Sequence, residues 1–251
     1  MSSSFESPRV LIMIPAYNEE EAIGRTLGAL LQHCPSADVL VLNDGSTDAT
    51  ARVVDDLVAR LKTRRIRLIN LPLNTGIGGA IQTGFIHAVR GRYDYAVQHD
   101  GDGQHDPAAI PLLLAEAQAK NLDLCVGSRF LAPAGEGYRG TILRRVGITF
   151  FARLISLLAG VRVTDPTSGF RIYSRRAIAV FSRYYPTDYP EPEALSYCVR
   201  NSLRVAEFPV TMRHREGGQS SIRHFHTAYY MVKVTLAILV DWIRKTEGAE
   251  A

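Results

Sequence analysis

Cysteine is scarce in this 251-residue chain: Cys34, Cys125 and Cys198 stand far apart in apolar surroundings. They offer neither a disulfide framework nor a zinc-ligand spacing, and such usage fits a reducing cytosol. The first residues, Met1–Pro8, are short and polar and lack the apolar core of a signal peptide. No long apolar run is present either. Ala228–Ile243, about 16 residues interrupted by Lys233 and Asp241, is short for a membrane span. Internal repeats and low-complexity linkers are missing, so the chain reads as a single domain. A G-x-x-x-x-G-K-[ST] motif occurs nowhere. Gly76-Ile77-Gly78-Gly79 fails as a dinucleotide fingerprint because Ile81 stands where a third glycine is needed. Those glycines serve either close packing at a helix start or close approach of a ligand.

What the chain has is ordinary globular bulk, with 46% hydrophobic and 22% charged residues. The formal charge of +4 is too small to argue for nucleic acid, but it is unevenly spread. Between Arg129 and Arg176 nine arginines face only Glu136 and Asp165, a net of +7, so the remainder is slightly acidic. A basic half beside an acidic loop fits an anionic ligand, an anionic membrane face, or both.

Apolar runs and helical spacing alternate through the first half. Strands are expected at Arg9–Ile14, Val39–Leu42, Ile66–Leu71, Tyr93–Gln98 and Leu122–Val126. Helices are expected at Glu19–His33, from a Ser46 or Thr47 cap to Leu61, from Asn74–Ala80 to about Arg90, and at Pro107–Lys120. This order predicts an α/β fold with a mostly parallel sheet covered by helices on both faces. After Gly127 the alternation stops. A loop over Arg129–Gly140 leads to a helix over Thr141–Leu158, a strand at Gly169–Tyr173, a helix at Glu193–Arg200 and a strand at Arg204–Phe208. A polar Gly-rich loop, Arg213–Ser221, precedes a closing helix at His224–Lys245.

The chemistry concentrates at His99-Asp100-Gly101-Asp102-Gly103-Gln104-His105-Asp106-Pro107, after the fourth strand and before a helix. Open α/β sheets bind ligands at the carboxyl ends of their strands. Asp100 and Asp102, with a carbonyl from Gln104, match the hard oxygen donors that Mg²⁺ prefers together with phosphate oxygens. The plain alternative is a solvated acidic turn capping the next helix. An EF-hand does not fit, since His105 takes its glycine position and Pro111 its glutamate position. Flanking, solvent-facing histidines around an oxygen site are expected in preference to zinc ligation by His99 and His105. Asn43-Asp44-Gly45-Ser46 ends the second strand at the same edge, as a turn and cap or as a carboxylate accepting from a nucleobase N–H.

Taken in order, Ile14-Pro15-Ala16-Tyr17-Asn18-Glu19, Asn43-Asp44-Gly45-Ser46-Thr47-Asp48, Asn74-Thr75-Gly76-Ile77-Gly78, Asp100-Gly101-Asp102-Gly103-Gln104-His105, Gly127-Ser128-Arg129 and Asp165-Pro166-Thr167-Ser168-Gly169-Phe170-Arg171 form a set. It resembles the family-2 glycosyltransferases, in particular their dolichyl-phosphate mannose synthase-like branch, from roughly Val10 to Ser221. The resemblance implies a glycosyltransferase A-type, Rossmann-like fold that binds a nucleotide-sugar and Mg²⁺ or Mn²⁺. Within the single domain, residues 8–127 would form the nucleotide-sugar half, 128–221 the acceptor half and 222–251 a C-terminal amphipathic helix. Pro15, Tyr17 and Glu19 would line the nucleotide pocket, Gly76 would adjoin it, and Asp44 would contact the base. Asp100, Asp102 and Gln104 would form the metal and diphosphate loop. Arg215, Gly218 and Ser220 would close over the donor phosphates. Arg129 would meet the acceptor phosphate, with Arg139 and Arg144 on the same basic wall. Two positions depart from the family pattern: Asn43 replaces the first aspartate of Asp-Asp-Gly-Ser, and Ser221 replaces a basic residue after the Arg-x-x-Gly-x-Ser element.

The expected reaction is an inverting hexosyl transfer. A lipid-phosphate acceptor is already ionised and needs only arginines to place it, whereas a glycan hydroxyl needs a base, with Asp165, Glu191 and Glu193 as candidates. A third reading is a catalytically weak nucleotide- or glycan-binding subunit, for which Asn43 is the support. Arg139, Arg144, Arg145 and Arg153 interleave with Phe150, Phe151, Leu154 and Leu157, as in a helix lying on an anionic membrane or in a core-packed helix with a solvated basic face. The expected location is the cytoplasm, with peripheral contact at the membrane's cytoplasmic face or a membrane-protein partner. The family's branch often carries two C-terminal membrane helices, and the sequence given ends at Ala251 without them. The closing helix would pack on the sheet, pair with a second subunit or dock on a membrane partner.

Overall fold

The computed structural model describes residues 7–131, 142–187, 190–212 and 227–243. Its centre is a seven-stranded sheet. Strands β1 (Val10–Ala16), β2 (Asp38–Asp44), β3 (Ile66–Leu71) and β4 (Tyr95–Gln98) alternate with helices α1 (Ile23–His33), α2 (Thr50–Leu61) and α3 (Gly76–Arg90). A 3-10 turn, Pro107–Ala109, then leads to α4 (Ile110–Ala119) and β5 (Leu124–Ser128). The second half comprises α5 (Ile142–Ala159), β6 (Arg171–Ser174), α6 (Arg175–Arg183), α7 (Pro190–Arg200), β7 (Val205–Pro209) and α8 (Thr227–Ile243).

The strand order is β3-β2-β1-β4-β6-β5-β7. All neighbours run parallel except β6, which is antiparallel to both β4 and β5. The period of two along each strand sorts side chains to the two faces. Leu11, Met13, Leu40 and Leu42 join a core with Phe85 of α3, Phe151 of α5, Phe181 of α6, Leu195 of α7 and Ile238 of α8. Ile12, Ile14, Val39 and Val41 face the other way, onto Leu27 of α1, Val54 of α2 and Leu113 of α4. Helices therefore cover both faces, as the alternation predicts. Gly78 shows one role of the α3 glycines. A Cβ there would stand 2.4 Å from the Pro186 carbonyl, so α3 packs backbone against backbone.

Several boundaries differ from expectation for identifiable reasons. Helix α1 starts at Ile23, because Glu19 and Glu20 donate their backbone N–H groups to Thr50 and Asp48 instead of entering the helix. Helix α2 starts at Thr50, not after a Ser46 or Thr47 cap. The Ser46 hydroxyl accepts from the Asn18 N–H, and Asp48 accepts from the Thr50 N–H. Helix α6 had no expectation at all; Ser174 caps it by accepting from the Ala177 N–H.

All three cysteines are buried thiols. Burial pushes Cys34 up to about 11 and Cys125 up to about 12, and it raises Cys198 as well. The native protein at pH 8 should therefore resist a thiol-labelling reagent that reaches all three cysteines after denaturation. Rapid native labelling, followed by intact mass, would contradict this packing.

Candidate active site

The site lies at the carboxyl ends of β1, β2, β4 and β5, on three interlocked loops. Asn18, at φ 55°, donates its backbone N–H to the Ser46 hydroxyl, and its side-chain carbonyl accepts from Thr47 N at 2.9 Å. Asp44 is buried, and its Oδ1 accepts from both the N–H (2.7 Å) and the hydroxyl (2.8 Å) of Thr75. Gly45, at φ +68°, passes so close to Asn74 that a Cβ would meet its nitrogen at 2.7 Å. Asn43, the first departure from the family pattern, is spent inside this interlock: its Nδ2 donates to Asn70 at 2.8 Å and its Oδ1 accepts from Ser46 N. An ionised aspartate could not make the first of these bonds. Around this edge Tyr17 is exposed, Pro15 and Glu19 are half-buried, and Gly76, at φ +76°, has nothing within 4 Å of where a Cβ would stand.

The acidic loop is anchored from beneath. Thr26 of α1 donates its hydroxyl to the Gly101 carbonyl at 3.1 Å, and Asp102 accepts from Gln104 N at 3.0 Å. His105 Nε2 donates to Asp100 Oδ2 at 2.9 Å, with side-chain exposures of 1% and 29%. His99 Nδ1 donates to the Asp100 carbonyl at 2.9 Å. The expectation of solvent-facing histidines is thus corrected: both rings are buried and pack on Phe170, with centroids 5.6 and 4.9 Å away. Burial, with the neighbouring His105, lowers His99 to about 4, which keeps it neutral at physiological pH. For Asp100, burial pushes the carboxyl up, but His105 beside it wins and holds it below the ordinary value. Gly169 completes the cradle, since a Cβ there would come within 3.1 Å of both Asp100 oxygens.

Arg129 and Asp165 meet directly. Arg129 Nε donates to Asp165 Oδ2 at 2.6 Å and a terminal nitrogen donates to Oδ1 at 2.7 Å. The Arg129 backbone N–H adds a third bond at 3.1 Å, and Thr167 accepts from the guanidinium at 2.8 Å. The two side chains are 4% and 0% exposed. Asp165 therefore holds the arginine and is not placed as an open general base, which corrects the first expectation for it. Met212 ties this pair to the acidic loop: its Sδ lies 3.8 Å from an Arg129 nitrogen, and its backbone bridges His105. Arg171 is also buried. Its guanidinium donates to the carbonyls of Ser168 (2.7 Å) and Pro166 (3.0 Å), which fixes the turn carrying Gly169. Glu191 sits in the first turn of α7, where burial raises its carboxyl and Arg171 opposes the rise.

Asp44, Gly76, Asp100, Asp102, Gln104, Arg129 and Asp165 thus share one sheet edge with Pro15, Tyr17 and Glu19. Arg139, Arg215, Gly218 and Ser220 lie outside the described residues, as does the side chain of Arg144. The described residues hold no cluster of three metal-binding side chains. Two carboxylates on a pre-set loop are nonetheless what a hard cation needs when phosphate oxygens supply its remaining ligands. Thr75 and Gly169 escaped the sequence reading as site residues, although each lies inside a quoted motif, and His105 was weighed there only as a zinc ligand or a solvent-facing flank.

Residues 11–181 match the sequence model of Glycosyl transferase family 2. The chain is 31% identical to a polyprenol monophosphomannose synthase of Mycolicibacterium smegmatis over 236 residues, covering 90% of this chain and 85% of that protein. It is 32% identical to an undecaprenyl-phosphate mannosyltransferase of Micrococcus luteus over 234 residues, covering 90% and 93%. In fold it is similar to glucosyl-3-phosphoglycerate synthase of Mycobacterium tuberculosis in complex with Mn²⁺, UDP and phosphoglyceric acid. The TM-score is 0.71 at 17% identity, over 96% of this chain and 81% of that one. The fold is thus the glycosyltransferase A type.

Removing one partner of a buried ion pair leaves the other charge uncompensated. Asp165→Ala should therefore cost about 3–5 kcal/mol of stability in urea unfolding. A cost below about 1 kcal/mol would mean that the pair is solvent-screened.

Proposed function

The chain belongs to glycosyl transferase family 2, and from that premise we propose that it moves a hexose, with inversion, from a nucleotide-diphosphate sugar to a polyprenyl phosphate. The observation that carries this reading is the meeting, at one sheet edge, of the Asp100–Asp102 loop with Asp44 on one side and Arg129 on the other. Relatives that act on polyprenyl phosphates, aligned over 90% of the chain, support the acceptor.

Asp44, fixed by Thr75, would accept from the base, with Pro15, Tyr17 and Glu19 lining the nucleotide and Gly76 leaving room beside it. Asp102 and Asp100, with Gln104, would hold Mg²⁺ or Mn²⁺, which supplies positive charge to the departing diphosphate. Arg215 and Ser220 would add donor-phosphate contacts. Arg129, with Arg139 and Arg144, supplies the positive wall for the acceptor. The lipid phosphate, with a second pKa of about 6, brings its own ionised oxygen. That oxygen forms the new bond to the anomeric carbon as the bond to the nucleoside diphosphate breaks. No proton has to be removed, which suits an edge where Asp165 is engaged by Arg129.

We extend the proposal to the membrane. No helix among the described residues is long and apolar enough to cross one. Helix α5 nevertheless exposes Val146, Phe150 and Leu157, the last at 81%, beside exposed Arg145 and Arg153. Helix α8 exposes Leu236, Val240 and Trp242. An apolar stripe with interleaved arginines is suited to lie in an anionic interface, close to a lipid acceptor.

Incubation with Mn²⁺, a panel of GDP- and UDP-hexoses and a short polyprenyl phosphate should yield a lipid-linked sugar. Asp102→Ala should abolish that transfer while leaving the far-ultraviolet spectrum unchanged. Product formed only on a glycan hydroxyl would overturn the acceptor, and normal turnover by Asp102→Ala would overturn the metal loop.

Co-sedimentation should show binding to phosphatidylglycerol-containing vesicles, weaker binding to neutral ones, and loss of binding at high salt. Leu157→Glu should reduce the bound fraction. Equal binding by Leu157→Glu and wild type would remove α5 from the interface.

A further inference from the structure

Glu207 lies on β7, the edge strand, opposite Val126 of β5. No ligand role is foreseen for it, yet its carboxylate accepts from three donors. The Thr164 N–H donates at 2.8 and 2.9 Å to its two oxygens. The Thr164 hydroxyl donates at 2.6 Å and the Asp165 N–H at 2.8 Å. An ionised carboxylate only accepts, so these bonds have one direction. The Thr164 hydroxyl, having given its proton to Glu207, accepts from the Ser128 hydroxyl at 2.6 Å. Ser128 in turn accepts from the Phe130 N–H at 3.2 Å.

Arg129 sits between the two ends of this arrangement. Its backbone is flanked by Ser128 and Phe130, which the hydroxyl chain fixes. Its guanidinium is gripped by Asp165, whose backbone Glu207 fixes. One carboxylate on a neighbouring strand is thus linked by hydrogen bonds to both the main chain and the charged head of the arginine. We propose that Glu207 is the positioning residue that sets Arg129 for the anionic headgroup of the acceptor. This rests on the acceptor role given to Arg129 above. A glutamine at this position keeps the shape but puts an N–H donor where the Thr164 hydroxyl now donates, so that hydroxyl and the chain through Ser128 must reverse direction.

The experiment compares Glu207→Gln, Thr164→Val, Thr164→Ser and Arg129→Lys with wild type. The substrates are the nucleotide-sugar that wild type uses and a short polyprenyl phosphate. Loss of an orienting partner typically costs about tenfold or more, so the acceptor KM in Glu207→Gln should rise by about tenfold. Its kcat should hold within about twofold, as expected when binding rather than the chemical step is affected. Mn²⁺-dependent affinity for the nucleoside diphosphate, measured by calorimetry, should not move. Thr164→Val should share the defect and Thr164→Ser should restore wild-type behaviour.

A general loosening of the fold would weaken donor and acceptor together, and that result overturns the proposal. So does an unchanged acceptor KM in Glu207→Gln while Arg129→Lys raises it. If Arg129→Lys leaves the acceptor KM unchanged, or wild type transfers nothing to the lipid phosphate, the reading of Arg129 fails and the proposal falls with it. A readout free of turnover is the Arg129 Nε–H resonance, identified by its loss in Arg129→Lys. It should shift in Glu207→Gln, and an unshifted resonance overturns the proposal.

Discussion

A guanidinium taken out of water needs acceptors for its N–H groups and a counter-charge nearby, and at Arg129 that need organises half of the site. Asp165 supplies the counter-charge from 36 residues away, at the turn that follows α5. For it to arrive there, the chain must return to the carboxyl edge of the sheet before running down β6. The antiparallel direction of β6, between β4 and β5, is what allows this. The same turn carries Gly169 and Phe170, which close on Asp100 and on both histidines. The basic and acidic parts of the site are therefore two sides of one turn.

The acidic loop shows how a charge cluster is kept in place before a ligand arrives. Repulsion between Asp100 and Asp102 is countered locally. Asp100 is bonded to His105, Asp102 accepts from the Gln104 backbone, and Thr26 holds the carbonyl between them. Because the imidazole pair is buried against Phe170, the loop cannot relax by turning His105 into water. On the proposed reading, a cation held here would find two carboxylates already oriented, so less of its binding free energy would go into ordering the site.

The parallel half was legible because each strand is an apolar run ending in a glycine- or acid-rich loop. Those loops had to share an edge once the helices alternated. Asp44, Asp100 and Asp102 were placed at that edge in this way, whereas Arg129 came from the family resemblance. The second half was less legible because its information is pairwise and distant. Strand β6 is four residues long, too short for a period to declare its direction. That Asp165 would bind Arg129, or that Glu207 would bind the Thr164 backbone, follows from strand order rather than local pattern. The histidines were misplaced because a polar residue in a glycine-rich loop reads as solvated. The return of Phe170 over that loop buries them.

The strand order also bears on which acceptor the edge can serve. A hydroxyl acceptor needs a carboxylate with a lone pair directed at it. Asp165 spends both oxygens on Arg129, and Glu207 spends both on Thr164 and Asp165. These two carboxylates beside Arg129 are thus committed to holding the guanidinium and the neighbouring backbone in place rather than to removing a proton. Such an edge is suited to an acceptor that arrives already ionised, and its specificity then lies in where Arg129 is held. Asn43 fits the same logic on the donor side. Where a second aspartate would add negative charge beside Asp44, the amide instead knits β2 to β3 through Asn70, leaving Asp44 as the one carboxylate of that pair.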